Sequence, residues 1–294
     1  MQYQILLVQG LHHKNENAIS KYGQIKWTRV NQISDCADLS VFDAVFCPGS
    51  MVNVLDYPNT KFIFGPHLAV FPNDSMEIIC GPNSIYIQPS QWVIDYWNLF
   101  PICSRFNMKP MPFGVDTDRF SPVNTENKEN KENKENKENV IVYFKGRMPE
   151  ELEVITQYLN SKGIPFKIFS YKNGYKEQEY IDYLQSCKYG IWLDAHESQG
   201  FALEEALSCN VPLLVWSVSK LNQEYGYDYP DFPATTIPYW DANCGEVFYN
   251  ACDFESTFQT FLSKIDSYQP REYIVSNLSI EVCEKKFIDS LLLI

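Results

Sequence analysis

The chain has 294 residues, 45% of them hydrophobic, and a formal charge of −13; it can bury a core or two, and its acidity argues against a nucleic-acid-binding surface without excluding a nucleotide ligand. Its nine cysteines include no Cys-x-x-Cys pair, which speaks against a zinc site or a disulfide framework and makes a reducing, cytoplasmic location the expectation. No apolar run reaches membrane-spanning length, and the first one, Ile5-Leu6-Leu7-Val8, is too short for a signal-peptide core.

In chain order, strands are expected at residues 4–8, 41–46, 61–64 and 84–87, each followed by a Gly, a Pro or a polar break. Gly10-Leu11-His12-His13 follows the first of these strands and Gly65-Pro66-His67 the third. His12 and His13 do not read as a metal pair, because adjacent side chains diverge and no third ligand is spaced nearby. Two further motifs come next, Pro89-Ser90-Gln91-Trp92 and Met111-Pro112-Phe113-Gly114-Val115-Asp116, the latter running on to Phe120 and Pro122.

From Thr125 to Asn139 a Thr-Glu-Asn triplet is followed by four copies of Lys-Glu-Asn. A period of three fits neither a helix nor a strand, and its i,i+4 pairs, such as Lys128 with Glu132, run in the less favourable Lys-before-Glu order. With no apolar residue to bury, the tract is expected to be a solvated linker.

The second half alternates regularly. An apolar run at 140–144 leads to Lys145-Gly146-Arg147; Leu152, Ile155 and Leu159 mark a helix face; 166–169 reads as a strand; and Ile181, Leu184 and Cys187 mark another helix. A strand at 189–193, a loop with Glu197, a helix at 201–209 and a strand at 212–216 complete the pattern. Such alternation implies a parallel sheet covered by helices, with ligands at the carboxyl ends of its strands. Lys145, Arg147, Ser170, Tyr171 and Glu197 all fall just after those ends.

Glu197 and Glu205 would stand about 12 Å apart on one continuous helix. A turn at Gly200 instead puts Glu197 in the loop and Glu205 in the helix, and helical side chains lean toward the N-terminus, so both can address one ligand. The N–H groups near Gly200, Phe201 and Ala202 then form an anion site at a helix start. Farther on, Pro238-Tyr239-Trp240 opens an aromatic-rich loop, and residues 271–294 read as helical with Ile280, Cys283, Phe287 and Leu291 on one face.

Glu197-x7-Glu205 followed by Ala206-x5-Pro212-Leu213-Leu214-Val215 resembles the E-x7-E, A-x5-P-V-V signature of retaining GT-B glycosyltransferases of the family 4 type. The segments from Met111 to Pro122 and Pro89 to Trp92 are similar to that family's crossover and to the S-x-W stretch before it. The resemblance implies an α/β protein of two Rossmann-like domains facing a cleft, the first reduced. It divides the chain into an acceptor-side domain (1–112), a crossover linker (113–139), a donor domain (140–270) and a helix returning to the first domain (271–294).

It also implies transfer of a sugar, with retention, from a nucleoside diphosphate sugar to a glycan, protein or small-molecule acceptor, as in glycan biosynthesis, with no metal cofactor. Glu197, Arg147 and His67 would be catalytic, with Arg147 on the diphosphate and His67 against the donor sugar. Donor contacts would come from Lys145, Arg147, Gly200, Phe201, Ala202, Glu205, Ser170, Tyr171 and the glycine loop at Gly10, with Glu205 on the ribose. One departure concerns charge: where the family has a second cation a few residues after the Arg, this chain reads Met148-Pro149-Glu150-Glu151, so Lys145 is assigned that role. A non-catalytic nucleotide-sugar-binding protein and a nucleotide-sugar epimerase of the same fold are the alternatives.

Overall fold

The computed structural model describes residues 2–50, 52–66, 81–103, 106–123 and 138–294; His67 and residues 125–137 of the repeat tract lie outside them. The chain forms two compact units, one of Met1–Gly114 with Leu278–Ile294 and the other of Val115–Asn277.

The first unit is built on a six-stranded parallel sheet, with β1 (Tyr3–Val8), β2 (Ile25–Val30), β3 (Ala44–Cys47), β4 (Phe62–Phe64), β5 (Ser84–Gln88) and β6 (Met108–Pro110) in the order β2-β1-β3-β4-β5-β6. Four strands stand where the apolar runs put them, except that β3 begins at Ala44 because Val41 is exposed. The two strands that the apolar pattern does not reveal are the edges. β2 carries Lys26, Thr28 and Arg29 and buries only Ile25, and β6 is three residues ending in Pro110, a residue that an edge strand tolerates.

Two helices, α1 (His13–Ile19) and α2 (Gln91–Trp97), follow β1 and β5. Among the described residues, the connections after β2 and β3 carry only single 3-10 turns, Ile33–Asp35 and Val54–Asp56. The C-terminal helix, Ile280–Leu291, belongs to this unit. Its apolar face is buried, and Phe287 packs edge-on against Trp27 at 5.6 Å and Phe46 at 5.4 Å. Gly114 makes room for its start: at φ +91°, a Cβ there would stand 3.2 Å from the Ile280 Cα and 3.1 Å from the Cys283 Cβ.

The second unit has a five-stranded parallel sheet of β7 (Asn139–Lys145), β8 (Phe166–Ser170), β9 (Cys187–Asp194), β10 (Leu213–Trp216) and β11 (Gly245–Phe248), in the order β11-β10-β9-β7-β8. Helices α3 (Pro149–Ser161), α4 (Glu177–Ser186) and α5 (Phe201–Ser208) alternate with the strands, and α6 (Phe254–Ser263) and α7 (Pro270–Leu278) follow. Ile155 and Leu159 of α3 and Phe254, Phe258 and Phe261 of α6 close over Val140, Val142, Ile191 and Leu214 of the sheet. The register sets Lys145 at the end of β7 beside Asp194 at the end of β9.

β11 opens on Gly245 at φ +140°, where an added Cβ would overlap the Leu213 backbone of its partner strand. Gly245→Ala should therefore lower stability by about 1–3 kcal/mol from backbone strain alone, with a further loss from the clash. Denaturant melts should show the midpoint dropping with the slope unchanged; a midpoint within error of the parent would refute this account of β11.

Candidate functional site

Where β7 and β9 end side by side, three ionisable groups meet. Lys145 Nζ donates to Glu197 Oε1 and lies 3.9 Å from Asp194 Oδ1. Burial pushes the Lys145 ammonium down, but Asp194 and Glu197 outweigh it and hold the proton more tightly than usual. Asp194, fully buried, is raised well above the ordinary carboxyl range by desolvation, only partly countered by Lys145. Desolvation also acts to raise Glu197, yet Lys145 and a hydrogen bond from Asp194 bring it below its usual value. Burial therefore favours the protonated form of Asp194 while the Lys145 ammonium favours the ionised form of Glu197, opposite tendencies within one cluster. The ring of Tyr171 sits 5.1 Å from Lys145 Nζ, completing its surroundings.

Glu197 is fixed by its backbone, whose N–H donates to the Thr235 carbonyl at 3.0 Å. Gly200 then turns the chain at φ +94° into α5, passing so close that a Cβ there would be 3.6 Å from the Glu197 Cβ. The first intrahelical bond runs from Glu204 N–H to the Gly200 carbonyl. The N–H groups of Phe201 and Ala202 thus stand ahead of the ladder, at the positive end of the helix dipole. Glu205 is buried on the same helix, which also receives the Tyr180 hydroxyl at the Ala202 carbonyl, 2.6 Å away. Ser170 ends β8, next to the end of β7, and Tyr171 follows it.

Arg147 is placed differently from Lys145. Gly146, at φ +61°, ends the strand alternation, and Arg147 is only 3% exposed. Its guanidinium forms a two-bond fork with Glu151, at 2.9 and 2.5 Å, and donates to the carbonyls of Trp216 (2.7 Å) and Asp194 (3.3 Å). Glu151 comes from the first turn of α3, in the segment where the resembling family carries a second cation. The Asp194 carbonyl also accepts from Thr236 Oγ1 at 3.0 Å, so Arg147 and Thr236 brace the end of β9. In the first unit, Gly10 (φ +123°) packs backbone to backbone on Gly49, a Cβ on Gly10 falling 2.9 Å from the Gly49 Cα.

Three members of this site carry no sequence signal of their own. Asp194 reads as the polar end of a strand, Thr236 is 42 residues away, and Glu224 lies in a segment without periodicity. That segment folds back on itself: Leu221 N–H donates to the Phe232 carbonyl, Ala234 N–H to the Ser219 carbonyl, and Lys220 pairs with Asp231 at 2.7 Å. Its tip is tied to the site where Tyr225 N–H donates to the Gly146 carbonyl at 2.8 Å and Glu224 Oε2 lies 3.2 Å from His196 Nδ1. Burial drives the His196 imidazole down to about 4, which Glu197 only partly offsets. Because desolvation raises Glu224 as well, the contact between them is best described as neutral rather than as an ion pair.

Among the described residues, no group of three or more His, Cys, Asp or Glu is placed to hold a metal ion, and no helix is long and apolar enough to cross a membrane.

No family model matches the chain, and no curated protein does. Solved structures do. Anabaena HepE in complex with UDP superposes with a TM-score of 0.58 over 100% of both chains at 9% identity. Sucrose-phosphate synthase from Thermosynechococcus elongatus gives 0.54 over 98% of both chains at 10% identity. TarM gives 0.51 at 16% identity, covering 85% of this chain and 55% of that one. At these identities what is shared is the fold: two Rossmann-like units of the GT-B kind.

Two outcomes follow from the geometry. Removing Arg147 leaves Glu151 without its fork and the Trp216 carbonyl without this donor, while the Asp194 carbonyl keeps Thr236; because Glu151 is partly exposed, the loss should be about 1–3 kcal/mol. Arg147→Ala should show that loss in urea melts, and a variant as stable as the parent would mean that the fork contributes nothing to folding.

The second outcome concerns pH. An unfolded chain protonates His196 near 6.5 whereas the folded one resists until about 4, so the stability tied to the neutral imidazole is complete above the unfolded value and is lost as pH falls toward the folded one. From about pH 7 to pH 4.5 this residue should account for about 2–3 kcal/mol of lost stability. His196→Gln should flatten that part of the profile; an unaltered slope would place the proton uptake elsewhere.

Proposed function

We propose that the protein transfers a glycosyl group from a nucleoside diphosphate sugar, with retention at the anomeric carbon. The observation that carries this reading is the cluster of Lys145, Asp194 and Glu197 at the strand ends, set beside the N-terminus of α5 with Glu205 buried in that helix. The fold adds support: a structure of this kind, Anabaena HepE, has been solved in complex with UDP-glucose.

In this reading, Glu205 accepts hydrogen bonds from the nucleotide ribose, as an ionised carboxylate can. Lys145 and the first N–H groups of α5 take up the charge that grows on the leaving diphosphate, so the scheme requires no metal. Glu197, ionised and held by Lys145, positions and stabilises the donor sugar as positive character develops at its anomeric carbon. Asp194, which burial pushes toward the protonated form, opposes the charge on Glu197 less than a second ionised carboxylate would. Ser170, Tyr171, Phe201 and Ala202 line the donor side. The role implied for Arg147 on the diphosphate requires it to exchange Glu151 for phosphate; otherwise it serves by holding the strand ends. Gly10 and His67 belong to the donor-binding and catalytic set by resemblance alone.

The Arg147–Glu151 fork also favours a second reading, a nucleotide-sugar-binding protein that performs no chemistry, because it takes up one of the two cations a diphosphate would use. Calorimetric titration with UDP, GDP and their glucose and mannose conjugates, followed by product analysis, separates the two. Glu205→Gln should weaken nucleotide binding about tenfold, the loss of one charge-assisted bond. Glu197→Gln should leave nucleotide affinity within about threefold while donor turnover falls far more. Binding without any turnover of donor would establish the second reading, and binding by neither the parent nor its variants would remove both.

A further inference from the structure

The segment that folds over Gly146 presents an unusual surface. Between Leu221 and Asp231 it contains three tyrosines, of which Tyr225 is 55% and Tyr227 62% exposed. Water-facing aromatic rings held on an ordered loop are informative in a way that scattered exposed side chains are not. The loop is compact, its ends brought together by the Lys220–Asp231 pair and by the bonds between Ser219 and Ala234, the anatomy of an Ω-loop.

The rings are organised. Tyr227 lies parallel to Tyr229 within 1°, centroids 5.1 Å apart, so one face of Tyr227 rests on its neighbour while the ring stays exposed. Tyr229 meets the ring of His196 edge-on at 5.5 Å, and His196 immediately precedes Glu197. A flat, preorganised aromatic face is thus joined through a single histidine to the carboxylate at the centre of the site. Such a face offers contact area to a ring at little cost in side-chain freedom.

The charge around it selects among rings. From Glu224 to Asp231 the loop carries three acidic residues and no basic one, and Lys220 is paired with Asp231. That composition disfavours a phosphate-bearing nucleotide, whereas Asp228, between Tyr227 and Tyr229 in the chain, offers an acceptor to the hydroxyls of a neutral sugar.

We propose that Tyr227, backed by Tyr229, is a stacking subsite for a neutral pyranose ring of a glycan acceptor. The inference rests on the glycosyltransferase reading and narrows its acceptor from glycan, protein or small molecule to a neutral glycan. The sugar face lies on Tyr227, its hydroxyls are directed to Asp228, and its free end extends toward Glu197.

Titration of the full-length chain with neutral malto-, cello-, xylo- and manno-oligosaccharides, each with and without saturating UDP, tests this. At least one series should bind. Tyr227→Ala should weaken that binding about tenfold or more, by analogy with the loss of a ring stacked on an aromatic side chain. Tyr227→Phe should retain it, and UDP affinity should stay unchanged in both variants. Equal oligosaccharide binding by the parent and Tyr227→Ala would overturn the subsite, as would no binding by any series. A fall in UDP affinity in Tyr227→Ala would reassign the ring to the nucleobase. Failure of the parent to bind UDP would instead count against the glycosyltransferase reading, and the oligosaccharide series reports on the subsite independently.

Discussion

A single ammonium placed between two carboxylates organises the second unit. Lys145 ends one strand and Asp194 its neighbour, so the sheet register delivers both to the same point, and Glu197 joins them from the loop beyond. Buried charges of one sign would be costly there. Lys145 offsets that cost, and burial pushes Asp194 toward its protonated form. The loop carrying Glu197, the glycine turn into α5 and the carbonyl held by Arg147 and Thr236 all hold this arrangement in place.

The departure at Glu151 changes the electrostatics of the same region. An acidic residue in the first turn of α3 suits the helix dipole, and its two oxygens complete the guanidinium of Arg147. Arg147 is thereby held as a buried brace between two strand ends. Under the proposed function, a diphosphate would then be met mainly by Lys145 and the start of α5, and the ribose contact of Glu205 would gain weight.

Between residues 140 and 216 the β/α alternation was readable from largely apolar strand runs and helices with one clear face, whereas β11 and α6 beyond it were not. The edges of the first sheet were not: β2 faces water along most of its length, and β6 is too short for any period to appear. Lys145 and Glu197 were readable as residues at or just past strand ends, which is where they meet. Asp194 looked like an ordinary strand end, and nothing in the sequence marks it as the buried partner of Glu197. Arg147 shows the opposite failure. Its position was evident, but its surroundings depend on a carboxylate from the next helix and a carbonyl from a strand 69 residues away, which no local pattern contains.

The return of the C-terminal helix has a consequence for the order of assembly. Phe287 packs against both Trp27 and Phe46, so the core of the first unit contains a side chain translated after the whole of the second unit. Domains ordinarily fold as they emerge from the ribosome, the earliest first. In this chain the later unit is complete in sequence while the earlier one still lacks a wall. The N-terminal sheet must wait, its aromatic interior open, until the last turns of helix leave the exit tunnel and close it.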